Sequence, residues 1–155
     1  MPQAAITNTI KKETGNYILV LYNEQPQKIE VGKLGTVKLK KGYYLYVGSA
    51  LGPGGVQARV KRHSQQHKKM HWHIDYLRKV TTLEEIWYLY SNKRYEHYFA
   101  DLFQQTESMS VPLVGFGASD CNCQAHLFYS QQCPKFITYK QNITADINLL
   151  QLSYK

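Results

Sequence analysis

Residues 42–63, GYYLYVGSALGPGGVQARVKRH, impose three conformations in succession. The first part, YYLYV, is aromatic and β-branched, the composition of a half-buried strand. The next eight residues hold four glycines (Gly48, Gly52, Gly54, Gly55) and Pro53. Backbone of that composition turns or lies close to another group. Residues 56–63 are basic and read as a helix. Arg59 and His63 are four apart, so they share a face of it, near the end of the strand. A tyrosine-bearing strand, a glycine turn and an Arg/His helix face together suit a site that handles phosphate.

The flanking segments say what this unit packs against. Residues 15–22 (GNYILVLY) are a near-continuous apolar run and read as a buried strand. A polar break with Pro26 ends it. Residues 28–32 and 36–40 alternate charged and apolar side chains about Lys33-Leu34-Gly35, the pattern of a hairpin with one wet face. After residue 56 the period changes. The basic helix 56–67 has Val56 and Val60 as apolar contacts. MHWHIDYLRK (70–79) reads as a second helix, with Trp72, Tyr76 and Lys79 on one side and Ile74 and Leu77 between. EIWYLY (85–90) is an aromatic strand. Residues 93–105 form an amphipathic helix N-capped by Asn92, with Tyr95, Phe99, Leu102 and Phe103 inward. Residues 111–117 read as a loop or kinked edge strand. Residues 125–130 and 136–139 read as short strands, and the tail 142–155 as a final strand or helix. The expectation is one α+β domain over residues 15–155, a small mixed, largely antiparallel sheet flanked by helices. A flexible arm, residues 1–14, precedes it.

At 155 residues and 43% hydrophobic content, the chain can bury a core. Its net charge of +8 points to a polyanionic partner, and no apolar run is long enough for a membrane span. Lys61, Arg62, His67, Lys68 and Lys69 continue the basic run past Arg59 and could contact neighbouring phosphates without reading sequence. Most of the thirteen tyrosines are expected to line the sheet, although exposed rings can stack on bases. Three cysteines (Cys121, Cys123, Cys133), with no secretory leader, predict a reducing, cytoplasmic setting. The C-x-C-x2-H spacing of Cys121, Cys123 and His126 is not that of a common zinc ribbon, so buried thiols beside a tight turn are preferred to zinc. His71 and Asp75 could share an ion on one helix face, with a structural role favoured.

Two half-motifs now stand out, Gly15-Asn16-Tyr17 and Tyr46-Val47-Gly48, followed by Arg59 and His63. In this the chain resembles the GIY-YIG nuclease superfamily, named for a Gly-x-Tyr and a Tyr-x-Gly on paired strands. The strings YVGSALGPGG, ARVKRH, HWHIDYL and GFGASDCNCQAHLF resemble, more narrowly, a branch whose members occur alone or fused to endonuclease III-type glycosylases. The resemblance reaches from Gly15 to about Tyr129. Twenty-nine positions separate Tyr17 from Tyr46, more than the compact core of that superfamily uses, so the resemblance implies that the hairpin is an insertion between the half-motif strands.

The resemblance implies a metal-dependent endonuclease cutting a nucleic-acid backbone, DNA first, in repair or genome maintenance. Tyr46, or Tyr17 beside it, would activate the water. Tyrosine is a poor base at neutral pH unless a cation lowers its pKa. Arg59, whose fork matches phosphate better than Lys61 does, would steady the phosphorane. His63 would orient the tyrosine or relay its proton. Glu96, with Asp101 nearby, would hold Mg2+ or Mn2+. Gly15 and Gly48 would be structural. The alternative from another class is a non-catalytic nucleic-acid-binding module on the same scaffold. A zinc-stabilised interaction domain ranks behind both.

Overall fold

The computed structural model describes residues 2–65, 68–118, 124–143 and 145–152. In chain order these form α1 (Pro2–Thr9), β1 (Gly15–Asn23), β2 (Gln27–Val31), β3 (Gly35–Leu39), β4 (Gly42–Ala50), α2 (Gly55–Ser64) and α3 (His73–Arg78). There follow β5 (Thr82–Tyr90), α4 (Glu96–Gln104), β6 (Met109–Ser110), β7 (Leu127–Ser130), α5 (Phe136–Lys140) and β8 (Asn148–Gln151). The fold is α+β, as expected.

β1 lies inside the main sheet, with Tyr17, Leu19 and Leu21 facing one layer and Ile18 and Val20 the other. All five are buried. Both faces of the strand are covered, so its sequence is apolar without alternation. β4 pairs with it antiparallel from Gly15 opposite Ala50 to Asn23 opposite Gly42. β5 pairs antiparallel on the other side. The six strands run in the order β6-β7-β4-β1-β5-β8, and every pairing among the described residues is antiparallel.

One face of the sheet is covered by α1, α2 and α3, through Ile6, Val56, Val60, Ile74 and Leu77. The hairpin of β2 and β3 forms a separate two-stranded sheet on the same side. Val31, Val37 and Leu39 are buried, while Lys28, Glu30, Thr36 and Lys38 face out, which is the wet face the alternation predicts. The other sheet face is covered by α4 and α5, with Phe99, Phe103 and Tyr139 packed on Trp87 and Phe128.

Three local expectations change, and one left open is settled. The N-terminal arm is not loose: α1 is helical and buries Ile6, with Ile10 buried just beyond it. Gln57 Nε2 donates to the Ile10 carbonyl at 2.8 Å, tying the segment to α2. Asn92 does not cap α4. Its Oδ1 accepts from Thr14 Oγ1 at 3.0 Å, and the helix starts at Glu96. Residues 136–140 are a helix rather than a strand, because Trp87 and Phe103 offer a surface on which Phe136 and Tyr139, three apart, can both pack. The tail resolves as a strand, β8, on the edge of β5. No helix among the described residues is long and apolar enough to cross a membrane.

The docking of α1 can be measured. Ile6 is fully buried, so Ile6→Ala is expected to cost about 2–4 kcal/mol, the range for truncating a core aliphatic. An urea midpoint that falls at unchanged slope is the expected result. A loose arm would move it by less than about 0.5 kcal/mol.

Candidate active site

β7 pairs with β4 over residues 43–46 only. Val47 N–H then donates to the His126 carbonyl at 2.9 Å, and past it no strand among the described residues covers the edge of β4. A cleft of about 290 Å³ opens there. Tyr17, Tyr46 and Arg59 line it from the α2 side of the sheet, Glu96 and His97 from the α4 side, and His126 from the start of β7. Register explains the tyrosines. Tyr17 faces Gly48 and Leu19 faces Tyr46, so both phenols lie on one face as diagonal neighbours. Gly48 is needed for close approach: a Cβ there would sit 2.4 Å from the Tyr17 hydroxyl. A Cβ on Gly15 would fall 2.0 Å from the Leu89 carbonyl oxygen.

The glycine turn sets the entry of α2. Gly54 and Gly55 have φ of 82° and 59°, in the left-handed region. A Cβ on Gly55 would meet the Glu13 carbonyl oxygen at 2.2 Å, and that oxygen accepts the Val56 N–H at 2.8 Å. From this fixed start, α2 carries Arg59 to the cleft and His63 beneath it. His63 Nε2 is 2.8 Å from the Tyr17 hydroxyl, and its buried Nδ1 has no partner among the described residues. Arg59 Nη1 donates to the Ser49 carbonyl at 3.3 Å, and its guanidinium lies 4.7 Å over the Trp72 ring. Burial pushes the Tyr17 phenol well above its usual range and Tyr46 adds to this, while Arg59 opposes it. Burial also pushes Tyr46 up, again against Arg59. His63 is held well below the usual imidazole range by burial, then by Lys68 and Arg59. At neutral pH the resting site therefore holds two phenols and a neutral imidazole.

Glu96 is the carboxylate brought to the cleft. Oε1 accepts from Arg94 Nη1 at 2.9 Å, and Oε2 lies 3.9 Å from His126 Nδ1. Burial pushes His126 down, and the Glu96 charge opposes it. Asp101 is exposed, bonds Gln105 and is not among the groups lining the cleft. Mg2+ and Mn2+ commonly take one or two protein carboxylates plus water and substrate phosphate. One carboxylate on an open polar cleft fits that requirement, with the exposed Arg94 as the partner that would yield. Among the described residues no three His, Cys, Asp or Glu side chains converge to hold a metal by themselves.

The basic run divides. Lys69 is exposed and Lys61 half-buried. Arg62 and Lys68 turn inward instead, which removes them from the expected phosphate contacts. Arg62 forks onto Asp75 at 2.8 and 3.0 Å, and Lys68 donates to the carbonyls of Arg62 (3.0 Å) and Gln65. Asp75 has no exposure, and its Oδ2 also accepts the N–H groups of His71 and Trp72, each at 2.8 Å. A buried carboxylate draws the nearest cations inward. With its lone pairs so filled, Asp75 is a structural anchor and not a ligand shared with His71. His67, Cys121 and Cys123 lie outside the described residues; Cys133 is exposed.

An α+β domain with a polar cleft at a half-covered strand edge is thus the class defined by fold and geometry. The chain belongs to the family described as Domain of unknown function DUF123, which matches residues 16–149. No curated protein and no solved structure matches it.

Sequence reasoning missed Ser49, Arg94, His97 and His126 as cleft residues. His126 falls within GFGASDCNCQAHLF, and Arg94 and His97 flank Glu96, so position relative to the quoted motifs was the available signal. The Asp75 anchor makes acid stability testable. Burial alone would push its carboxyl up; the Arg62 fork and the two backbone N–H groups outweigh burial and hold it at about 2. A carboxyl depressed in the folded state adds stability above its unfolded pKa, near 4, that is lost as pH falls towards 2. The expected contribution is about 2 kcal/mol at neutral pH. Asp75→Asn should lower the neutral-pH urea midpoint and flatten its fall between about pH 4 and 2. An identical acid limb in the variant would show that Asp75 does not anchor the site.

Proposed function

We propose that the chain is a metal-dependent endonuclease of GIY-YIG type that hydrolyses nucleic-acid phosphodiester bonds, with DNA as the first substrate to test. The observation that carries this reading is convergence. Tyr17, Tyr46, Arg59 and Glu96 come from four elements and meet on one cleft, with His63 bonded to Tyr17 from below. The net charge of +8 favours a polyanion, and the exposed Lys69 and half-buried Lys61 remain for backbone phosphates.

The proposed chemistry follows from the residues. Arg59 receives the scissile phosphate, and its fork strengthens its hold as charge builds on the equatorial oxygens. A water attacks phosphorus while the bond to the leaving oxygen breaks. Tyr17 takes the water's proton as its own phenolic proton passes to His63 Nε2 across the 2.8 Å contact. The phosphodiester anion offsets the Arg59 charge that depresses His63, so the imidazole becomes a better acceptor once substrate is bound. Tyr46 faces the same space and orders the water. Glu96 would hold Mg2+ or Mn2+, which supplies charge neutralisation at the phosphate and the leaving oxygen. A setting in repair or genome maintenance is the extension suggested by the fused members of the resembling branch.

Burial raises both phenols and so opposes a tyrosinate base, which favours a second reading, a module that binds nucleic acid without cutting it. One assay separates the two. Supercoiled plasmid, single-stranded, flap and junction DNA, and RNA are incubated with Mg2+ or Mn2+ or with EDTA. Cleavage is expected with metal only. It should fall at least 100-fold in Arg59→Ala and in Glu96→Gln, the scale for removing one transition-state contact. Most of the DNA affinity should survive in Arg59→Ala, since surface lysines supply it. Equal cutting by Arg59→Ala would sink the assignment, and binding without cutting on every substrate would favour the second reading.

A further inference from the structure

A polar residue inside an apolar strand needs a reason, because a well-packed aliphatic at a buried position is often at least as stable. Asn16 is such a residue, fully buried between Gly15 and Tyr17 on β1. Its side chain faces away from Tyr17, toward α4. Oδ1 accepts the Ser49 hydroxyl at 2.6 Å and the Tyr95 backbone N–H at 3.0 Å, while Nδ2 donates to the Lys93 carbonyl at 2.9 Å. Each contact leads to the cleft. Ser49 stands at the uncovered edge of β4, and its own carbonyl accepts Arg59 Nη1 at 3.3 Å. Lys93 and Tyr95 bracket Arg94, and Tyr95 immediately precedes Glu96. The Tyr95 N–H at this helix start is satisfied by Asn16 rather than by a capping side chain of the segment itself.

We propose that Asn16 is a positioning residue that fixes the spacing between the Arg59 side and the Glu96 side of the cleft, acting through Ser49 and the start of α4. What the two sides do rests on the nuclease reading; the joint itself does not. Tyr17 and Asn16 then divide the work of one strand. Tyr17 presents a reacting group to one face, and Asn16 locks the carboxylate-bearing element to the other. Hydrogen bonds to an orienting amide hold a ligand carboxylate at one distance more tightly than apolar packing, which tolerates sliding.

Three variants test the joint. Asn16→Leu removes it at similar volume, Ser49→Ala removes one donor, and Ser49→Thr keeps the hydroxyl. Amide hydrogen exchange of the full chain is followed at Tyr95, against Phe99, whose N–H remains on the Tyr95 carbonyl at 2.9 Å. Mn2+ binding is titrated by electron spin resonance without nucleic acid, and turnover is measured on the best substrate. In Asn16→Leu, Tyr95 exchange should rise about tenfold relative to Phe99, and Mn2+ affinity should fall about 10–100-fold. Ser49→Ala should lower kcat about tenfold at unchanged KM, and Ser49→Thr should restore it. Tyr95 exchange indifferent to Asn16→Leu overturns the joint, as does Mn2+ affinity that stays unchanged in that variant. If Asn16→Leu does not fold, Ser49→Ala decides, and an unchanged kcat in it overturns the joint. If the wild-type chain neither binds Mn2+ nor cuts while Tyr95 exchange still rises in Asn16→Leu, the nuclease reading is defeated and the joint stands.

Discussion

The pairing of β1 with β4 places everything else. It runs unbroken from Gly15 opposite Ala50 to Asn23 opposite Gly42. Side chains alternate along a strand, so a slip of one residue would turn Tyr17 toward α4 and Asn16 toward α2. Both roles would fail together. The register is held from two directions. Core side chains on both faces of β1 resist any inversion, and the absent side chain of Gly48 leaves the Tyr17 ring its seat. That seat is what lets the phenol reach His63 on a helix whose own start is fixed by Gly55 against Glu13.

A second constraint works from a distance. Asp75 is buried and charged, so it needs cations and N–H groups around it. Arg62 and Lys68 supply charge, and His71 and Trp72 supply backbone donors. The arrangement holds the Trp72 ring where the guanidiniums of Arg62 and Arg59 both lie over it, at 4.4 and 4.7 Å. Arg59 is therefore restrained on one side by a ring that belongs to a buried ion-pair network and on the other by the Ser49 carbonyl. A free arginine on a solvated helix face would lose more rotamer freedom on meeting a phosphate; this one has surrendered part of that freedom in folding.

The legible parts of the chain were those governed by local period. The apolar run of β1, the alternation of β2 and β3, and the four-residue spacing of Arg59 and His63 can each be read within a few residues. Ile6 and Ile10 were not legible in this way: two aliphatics in a polar stretch read as a loose arm and do not reveal that α2 supplies a surface for them. FITY is aromatic and β-branched, and over four residues period cannot separate strand from helix; the rings of Trp87 and Phe103 decide it. The rest depends on partners far along the chain. Arg62 meets Asp75 across 13 positions, and Asn16 meets Tyr95 across 79. A basic residue gives no local sign of whether its charge will face water or a buried carboxylate.

The location of the cleft follows from these same facts. A sheet edge exposes unpaired backbone and is usually protected. Here β7 protects β4 only as far as residue 46, and the remaining edge is where side chains from both layers can meet around a single strand. A site on one face of a sheet inherits its geometry from that face. A site that straddles an edge does not, because α2 and α4 pack on opposite layers and could drift independently. Some group must tie the β4 edge to the start of α4, and it must be polar to fix a distance. β1 is the strand next to that edge and is buried on both faces, so the residue beside Tyr17 is where a polar side chain can reach both Ser49 on β4 and the start of α4. Asn16 occupies that position, and the physical demand of an edge site accounts for an amide where packing alone would have been met by an aliphatic.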